Sequence, residues 1–493
     1  MSLSVALRVA QSALAARQSE TATTSRNIAG ASQAGYSRKS VLLSTLVTDS
    51  GQSGGVKVAG IGRTTNSALY STLLTSTSVA SGQDAVLSGL QRLEETIGDT
   101  KLETSPAAYL GSLQTALQSY ASDPADPILA QSALSAARNM ATNLNEASDL
   151  VQSVRSDADA DISTSVDNIN ALLSQLEDLN SIIVKGTQNG ADITDALDTR
   201  DQVLLSLSEE IGITTLNRED GDIVVYTDSG VTLFETTARD VSFVPTSTYQ
   251  AATVGNAIYV DGVPVTGEDA IMPISSGKLF GLTELRDKDA TTYQSQLDEI
   301  ARGLIEAFAE SDQSGGGGPD QAGLFTYSGG PGLPPASTLI TGLASDIQIN
   351  VSVDPDQGGN IDLLRDGGMA GAAYDYNPGD LAAYSDRLQE YLSAFDEPRV
   401  FDAGVQLDAT DTLTGFAASS VSWLEAARKS ADSDMEVQTV IVERTAQSLS
   451  NATGVNIDEE MTLLLDIERG YSAAAKLIAA VDEMLDDLFS TIR

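Results

Sequence analysis

The chain has 493 residues with 69 acidic and 28 basic side chains, and a net charge of −41 sets it against nucleic-acid phosphates and anionic membrane surfaces. Neither cysteine nor histidine occurs, which excludes disulfides, thiolate metal sites, Ser–His and Cys–His catalysis and the imidazole proton shuttle. An apolar share of 41% describes a folded chain long enough for several domains, and no run approaches the ~18–20 apolar residues that span a bilayer.

The first thirty residues repeat Leu3, Leu7, Ala10, Leu14, Arg17, Thr21, Thr24 and Ile28 at three- and four-residue spacing, the stripe of a helix seeking a partner helix. Met1 to Arg8 has no basic block followed by a continuous apolar run, so no cleaved secretory signal is expected. Val41 to Gly62 is glycine-punctuated and β-like. Helical texture starts near Asn66, with Val86, Leu90, Leu93 and Ile97 on one face and Gly98-Asp99 as the stop. Pro106 suits the first position of a shorter helix.

From Ile128 to Lys185 there is neither glycine nor proline, and Ile162, Val166, Ile169, Leu172, Leu176, Leu179 and Ile183 form one stripe. The acidic cluster Asp157, Asp159, Asp161 is a candidate break in this rod. A further helix runs from about Ile193 to Ile211 and contains Leu197-Asp198-Thr199-Arg200-Asp201. The period then changes. Ile223 to Tyr226 follows Asp220-Gly221, Val231 and Leu233 follow Ser229-Gly230, and Asp261-Gly262 joins Ile258–Val260 to Val263–Val265 as a hairpin.

Helix resumes from Glu284 to Glu310, with Tyr293, Leu297, Ile300, Leu304 and Phe308 on one face. Gly315 to Pro319 reads as a flexible break. Residues 320–400 are mixed, with a strand at Ile347 to Val353 and a helix near Leu381 to Phe395. Phe416 to Thr453 is again free of glycine and proline. Gly454 suits a positive-φ helix stop, Asn456 a cap with Glu459 three residues on, and Asp458, Glu459 and Glu460 favour the positive end of the helix dipole. The last helix carries Leu464, Ile467, Tyr471, Ala474, Ile478, Val481, Leu485, Leu488 and Ile492 at coiled-coil spacing. Burial of that stripe alone falls short of the conformational entropy of ordering the helix, so it needs a partner.

These patterns give a multidomain, mainly α chain with terminal coiled-coil helices, a discontinuous long-helix bundle and inserted β-rich outer domains. The divisions are 1–45 with 455–493 for the terminal helices, 46–211, 285–312 and 406–454 for the bundle, 212–284 for a small β domain and 313–405 for a mixed insertion. Chemistry has little to work with. Carboxylates are the only acid–base candidates, and a glycosidase-like pair needs an aromatic-lined cleft in a chain with one tryptophan, Trp423. Asp354-Pro355-Asp356-Gln357-Gly358-Gly359-Asn360-Ile361-Asp362 imitates a calcium loop, but Arg365 stands where the bidentate glutamate belongs, leaving an acidic turn. Gly315 to Gly318 lacks the following Lys-Ser/Thr of a phosphate loop. No catalytic, cofactor or metal residue is assigned, and no enzyme is expected.

Asn27-Ile28-Ala29-Gly30-Ala31-Ser32-Gln33-Ala34-Gly35-Tyr36-Ser37-Arg38 resembles the N-terminal signature of bacterial flagellar axial proteins, and its Gly-Tyr-Ser-Arg ending resembles the hook–filament junction family, flagellar hook-associated protein 1. Gly454 to Met461 and Val481 to Asp486 are similar to that family's C-terminal end, and Leu197 to Asp201 through Leu207-Ser208 to its helical domain. Gly30 departs from the family's usual Asn, and Gln33-Ala34 from its common Thr-Pro. The resemblance implies an adaptor exported unfolded through the flagellar type III channel and escorted by a cytoplasmic chaperone on its C-terminal helix. It implies an extracellular ring of self-associated subunits between the hook protein and the second junction protein, with both ends paired in an inner coiled-coil tube. Interaction residues are then Leu3, Leu7, Ala10, Leu14, Asn27, Ile28, Gly35 and Tyr36 at one end and the nine stripe residues at the other. No cofactor, nucleic acid or membrane insertion is implied. Alternatives are a hook, rod or second junction protein, and a secreted carboxylate hydrolase.

Overall fold

The computed structural model describes residues 3–47, 53–94 and 103–491. Its first elements are helix α1 (Leu3–Gly30), an antiparallel hairpin of β1 (Lys39–Val47) and β2 (Ser53–Arg63), and helix α2 (Ser67–Leu93). The boundary drawn at residue 45 falls inside β1, which continues to Val47. Ile97 and Gly98-Asp99, read as the end of the second helix, lie outside the described residues.

Three helices follow: α3 (Pro106–Ser122), α4 (Pro127–Asn189) and α5 (Thr194–Glu210). Asp126 caps α4 through Ile128 N, Pro127 occupies the first turn, and Gly190 ends it in the left-handed region. The 63 residues of α4 run unbroken for about 95 Å. The acidic cluster does not divide it, because Asp159 is not solvated: its carboxylate accepts Arg286 Nη1 at 2.8 Å, the Tyr249 hydroxyl at 2.7 Å and Thr246 N at 2.7 Å. One turn earlier, buried Arg155 donates to the carbonyls of Arg286, Gln250 and Thr253. Polar side chains in mid-helix thus hold the β region onto the bundle.

That region holds two antiparallel sheets. Strands β3 (Ile213–Asn217), β4 (Ile223–Thr227), β5 (Thr232–Glu235) and β6 (Thr237–Ala238) pair in sequence order, and so do β7 (Val241–Ser242), β8 (Tyr259–Val260) and β9 (Val263–Pro264). Helix α6 (Lys278–Glu284) leads through a π turn, Leu285–Asp289, into α7 (Ala290–Ala307).

The insertion contains β10 (Phe325–Thr326), α8 (Leu343–Asp346), β11 (Gln348–Ile349), α9 (Leu363–Asp366), α10 (Asp386–Asp396) and β12 (Arg399–Val400), and β12 pairs with β13 (Thr410–Asp411) beyond the expected boundary at 405. The strand expected over Ile347 to Val353 shrinks to β11, because Asn350 caps a 3-10 turn through Ser352 N. The helix expected from Leu381 starts at Asp386 because Asn377 takes both the N–H and the carbonyl of Leu381. The glycine run is ordered by Asp312, whose carboxylate accepts Ser314 N, the Ser314 hydroxyl and Gly318 N. Buried carboxylates on and just after α7 pin the insertion: Asp298 accepts Gly342 N and Ala344 N, and Glu310 accepts Met369 N and Ala370 N.

Helix α11 (Leu413–Thr453) returns along α2, and α12 (Ile457–Thr491) closes the chain against α1. Gly454 has φ −75 rather than the expected positive φ. Its glycine is required by close approach, since a Cβ there would stand 2.5 Å from Ser450 O. One apolar core runs through the bundle, both outer sheets and the insertion. Ala10, Ala16, Ile467 and Val481, on the two terminal helices, are buried outside this core. Among the described residues no helix is long and apolar enough to cross a membrane.

Candidate assembly interface

The two terminal helices partner each other within one chain. Two rows of the predicted stripe behave differently. Ile467 and Val481 are 1% and 3% exposed, and Ala474 between them is half-buried. In the flanking row Leu464, Ile478 and Leu485 are half-buried, while Tyr471 is 40% exposed. The side chain of Leu488 and the whole of Ile492 lie outside the described residues. On α1, Ala10 is buried and Leu3, Leu7, Leu14 and Ile28 are half-buried.

A third apolar row escaped the sequence reading. Leu463, Leu477 and Met484 stand three or four residues from the buried row on its other side, and Leu477 and Met484 are 48% and 50% exposed. The apolar arc of α12 is therefore wider than a two-row seam: the central row is buried, the flanking row half-buried, and Leu477 and Met484 of the third row are exposed. The signal was present at helical spacing, but a strict coiled-coil template passes over it.

Above this seam a polar knot draws together the three segments that carry the sequence signatures. Asn27 is buried; its Nδ2 donates to Lys39 O at 2.8 Å and Glu460 Oε2 at 3.0 Å, and its Oδ1 accepts Lys39 N and the Tyr36 hydroxyl. Arg38 Nε donates to Glu460 Oε1 at 2.6 Å. Glu460, which the sequence suggested only as a charge on the helix dipole, is fully buried and sits seven residues before Ile467 in the buried row. Asn456 caps α12 through Asp458 N at 3.0 Å, as its position suggested.

The N-terminal signature turns sharply to reach these partners. Gly35, exposed, has φ +75, a conformation that disfavours any Cβ. The half-buried Tyr36 ring folds back over Gly30, where a Cβ would lie 2.5 Å from ring carbon Cε2, and Lys39 Nζ stands 4.2 Å from the ring centroid. The departure at Gly30 thus has a local cause: no larger residue fits beneath this ring.

Helix α5 supplies the other half of the knot. Asp198 accepts the Ser37 hydroxyl at 2.5 Å and Arg63 Nη1 at 3.0 Å, and Asp201 accepts the same Arg63 nitrogen at 2.6 Å. Lys39 Nζ pairs with Asp195 and Asp198. Burial opposes the Arg63 charge, but Asp201 and Asp198 outweigh it and raise its pKa. Arg26 reaches Asp192 at 2.7 Å; burial works against the Asp192 anion, yet the bonds from Arg26 and Thr194 hold its carboxyl below the ordinary value. Arg200 points the opposite way, donating to Gly221 O at 2.6 Å, and burial lowers its pKa. One turn of α5 therefore ties the N-terminal strand to the β region. Sequence reasoning missed the partners of Arg63 and Ser37 on α5, 135 and 161 residues away, and that of Asn27 on α12, 433 residues away.

The other candidates are occupied. Asp354 and Asp356 of the calcium-like loop pair with Arg138, at 2.8 and 3.1 Å. Among the described residues no group of acidic side chains is arranged to hold a metal ion.

Residues 90–325 match the model of the flagellar hook-associated protein FlgK helical domain, and 446–491 that of the flagellar basal body rod FlgEFG protein C-terminal region. The chain is 26% identical to flagellar hook-associated protein 1 of Escherichia coli (strain K12) over 354 residues, 70% of this chain and 63% of that one. It is 24% identical to the protein of the same name from Bacillus subtilis (strain 168), over 98% of this chain and 97% of that one. The chain thus spans less than two thirds of the enterobacterial relative and nearly all of the Bacillus one. The fold is similar to that of the flagellar hook junction protein FlgK from Burkholderia pseudomallei, with a TM-score of 0.56, 15% identity, and 77% of this chain and 99% of that chain covered.

Proposed function

The chain belongs to the flagellar hook-associated protein 1 family, and on that footing we propose that it is a structural subunit of the bacterial flagellar axis, working as an adaptor ring at the hook–filament junction. One observation carries the reading: α12 has three apolar rows, and among the described residues α1 buries the central one while the outer two stay partly or largely exposed. The rows left open need further helices, which other subunits supply in a tube of paired terminal helices. The polar knot suits this role, because it fixes the direction of the helix pair against the bundle without depending on apolar burial.

The hook protein and the second junction protein are the proposed neighbours along the axis. A cytoplasmic export chaperone is the proposed holder of α12 before assembly, when the outer rows of its apolar arc are open. The proposed location is extracellular, after export of the unfolded chain through the flagellar channel. A position elsewhere on the axis, as hook, rod or second junction protein, is the competing reading; the N-terminal ending Gly35-Tyr36-Ser37-Arg38 favours the junction. Deleting the gene tests the reading. Cells should carry hooks without filaments and shed filament subunits, and antibody against the chain should label the distal end of wild-type hooks. Normal filaments in the deletion strain would overturn it.

A further inference from the structure

The second half of α11 packs one side on α2 and leaves two others open. Ala431, Met435, Gln438, Val442, Thr445 and Leu449, at three- and four-residue spacing, are buried or half-buried along the α2 side. Away from α2, Val437 and Val440 are 54% exposed, Ile441 is 38% exposed, and Arg444 is exposed beside them. These four fall at i, i+3, i+4 and i+7, the anchor spacing of a helix face that lies in a groove. Ser430, Ser433 and Ser448 continue the face without charge. On roughly the opposite side of the same helix, Thr439 and Glu443 help wall a groove of about 860 Å³ between α11, α2 and α4. Ala85, Leu282 and Leu285, all buried, give it an apolar floor. Its rim is acidic: Asp84, Asp157, Asp161, Glu209 and Glu443 are exposed around it, against Lys278 and Arg92, and Arg92 pairs with Asp157.

We propose that the Val437–Arg444 face of α11 in one copy seats in this groove of a second copy, its three aliphatic side chains over the apolar floor and the Arg444 guanidinium among the rim carboxylates. This rests on the reading of the chain as a self-assembling axial subunit, and it names a surface by which copies join outside the terminal helices. Seating removes both apolar surfaces from water. In a chain of net charge −41, a helix face that offers exposed aliphatic side chains, a guanidinium and no carboxylate is complementary to such a rim. Face and groove lie on different sides of α11, so the contact is heterologous: a copy that receives one neighbour still offers its own face to the next. Such a contact closes into a ring or continues as a helix. Face against face would instead leave both grooves empty and end at two copies.

Cross-linking reads this contact cleanly, since the chain has no native cysteine. Cells making two differently tagged full-length chains, Val440→Cys and Ser88→Cys, would have their isolated hooks treated with a flexible bis-maleimide; Val437→Cys with Ser81→Cys forms a second pair. Ser81 and Ser88 line the groove on α2, and none of the four positions is buried. The mixed dimer carrying both tags is expected from each pair. Arg444→Glu in the chain that offers the face should abolish it, and Asp84→Lys with Asp161→Lys in the groove chain should restore it, a rescue that a role in folding alone would not give. Antibody labelling of the same hooks separates the contact from the axial reading. Labelled hooks that give no mixed product, only same-tag dimers, or a mixed product indifferent to Arg444→Glu overturn the contact and leave the axial role standing. Wild-type chain absent from hooks overturns both.

Discussion

Arg38 and Glu460 stand 422 residues apart in the chain and are joined by a 2.6 Å hydrogen bond from Nε to Oε1. Through this pair the exit of the first helix and the entry of the last are held at one point, beside a helix of the bundle. Glu460→Ala removes the acceptor for both Arg38 and Asn27. Arg38 is partly exposed and can turn to water, whereas the Asn27 amide loses a buried partner. The expected cost is about 1–3 kcal/mol, confined to the terminal unit. Limited proteolysis should cut faster within 454–491 while the melting of the bundle stays put.

Gly30→Ala should destabilise the same unit by about 1–3 kcal/mol, because the added methyl meets the Tyr36 ring in a packed site. Adding Tyr36→Ala should recover part of that loss, giving a favourable coupling energy in a double-mutant cycle. Protease resistance of residues 3–47 is the readout, and strictly additive effects would contradict the contact.

The buried row of α12 should matter most for assembly. Ile467→Asp and Val481→Asp place a charge where the helix pair excludes water, and should abolish incorporation on hooks. Ile478→Asp and Leu485→Asp, half-buried, should also block it, whereas Tyr471→Ser should be milder. Counting labelled hooks ranks them.

Asp298 should give the insertion a pH dependence of unusual sign. Burial raises its carboxyl to about 6, although the N–H groups of Ala344, Gly342 and Gln294 pull the other way. The unfolded side chain titrates near ~3.9, so the folded chain holds this proton more tightly. The contribution is complete below pH ~4 and is lost as pH rises through about 6, a change of about 1–3 kcal/mol. Urea unfolding of wild type and Asp298→Asn between pH 4 and 7 isolates it: the difference between the two chains should vary with pH in that window, and a constant difference would contradict the assignment.

Asp159→Ala leaves Arg286 and the Tyr249 hydroxyl without their buried acceptor, at a cost of about 3–5 kcal/mol. Far-UV circular dichroism should keep the helix signal, since α4 needs no acidic break, while the loop at 246–256 should become protease-sensitive.

Much of this architecture was legible in the sequence because local chemistry decides it. Pro106 and Asn456 mark helix starts whose caps need only neighbours in the chain. The acidic cluster of α4 misled because Asp159 looks like a solvated break until its partners, near 246 and 286, are known. The same applies to Glu460 and Asp198, whose roles are set by residues hundreds of positions away. The stripe on α12 was readable as a seam, but which row faces α1 depends on the rotation that the knot imposes.

The central claim is that the terminal pair is only partly covered in one chain and completed by other copies. Hydrogen–deuterium exchange over Ile457–Thr491, compared between free chain and chain on isolated hooks, tests it most directly. Amides of α12 should exchange much faster than those of α4 in the free chain and become protected on hooks. Protection equal to that of α4 in the free chain, unchanged on hooks, would contradict it.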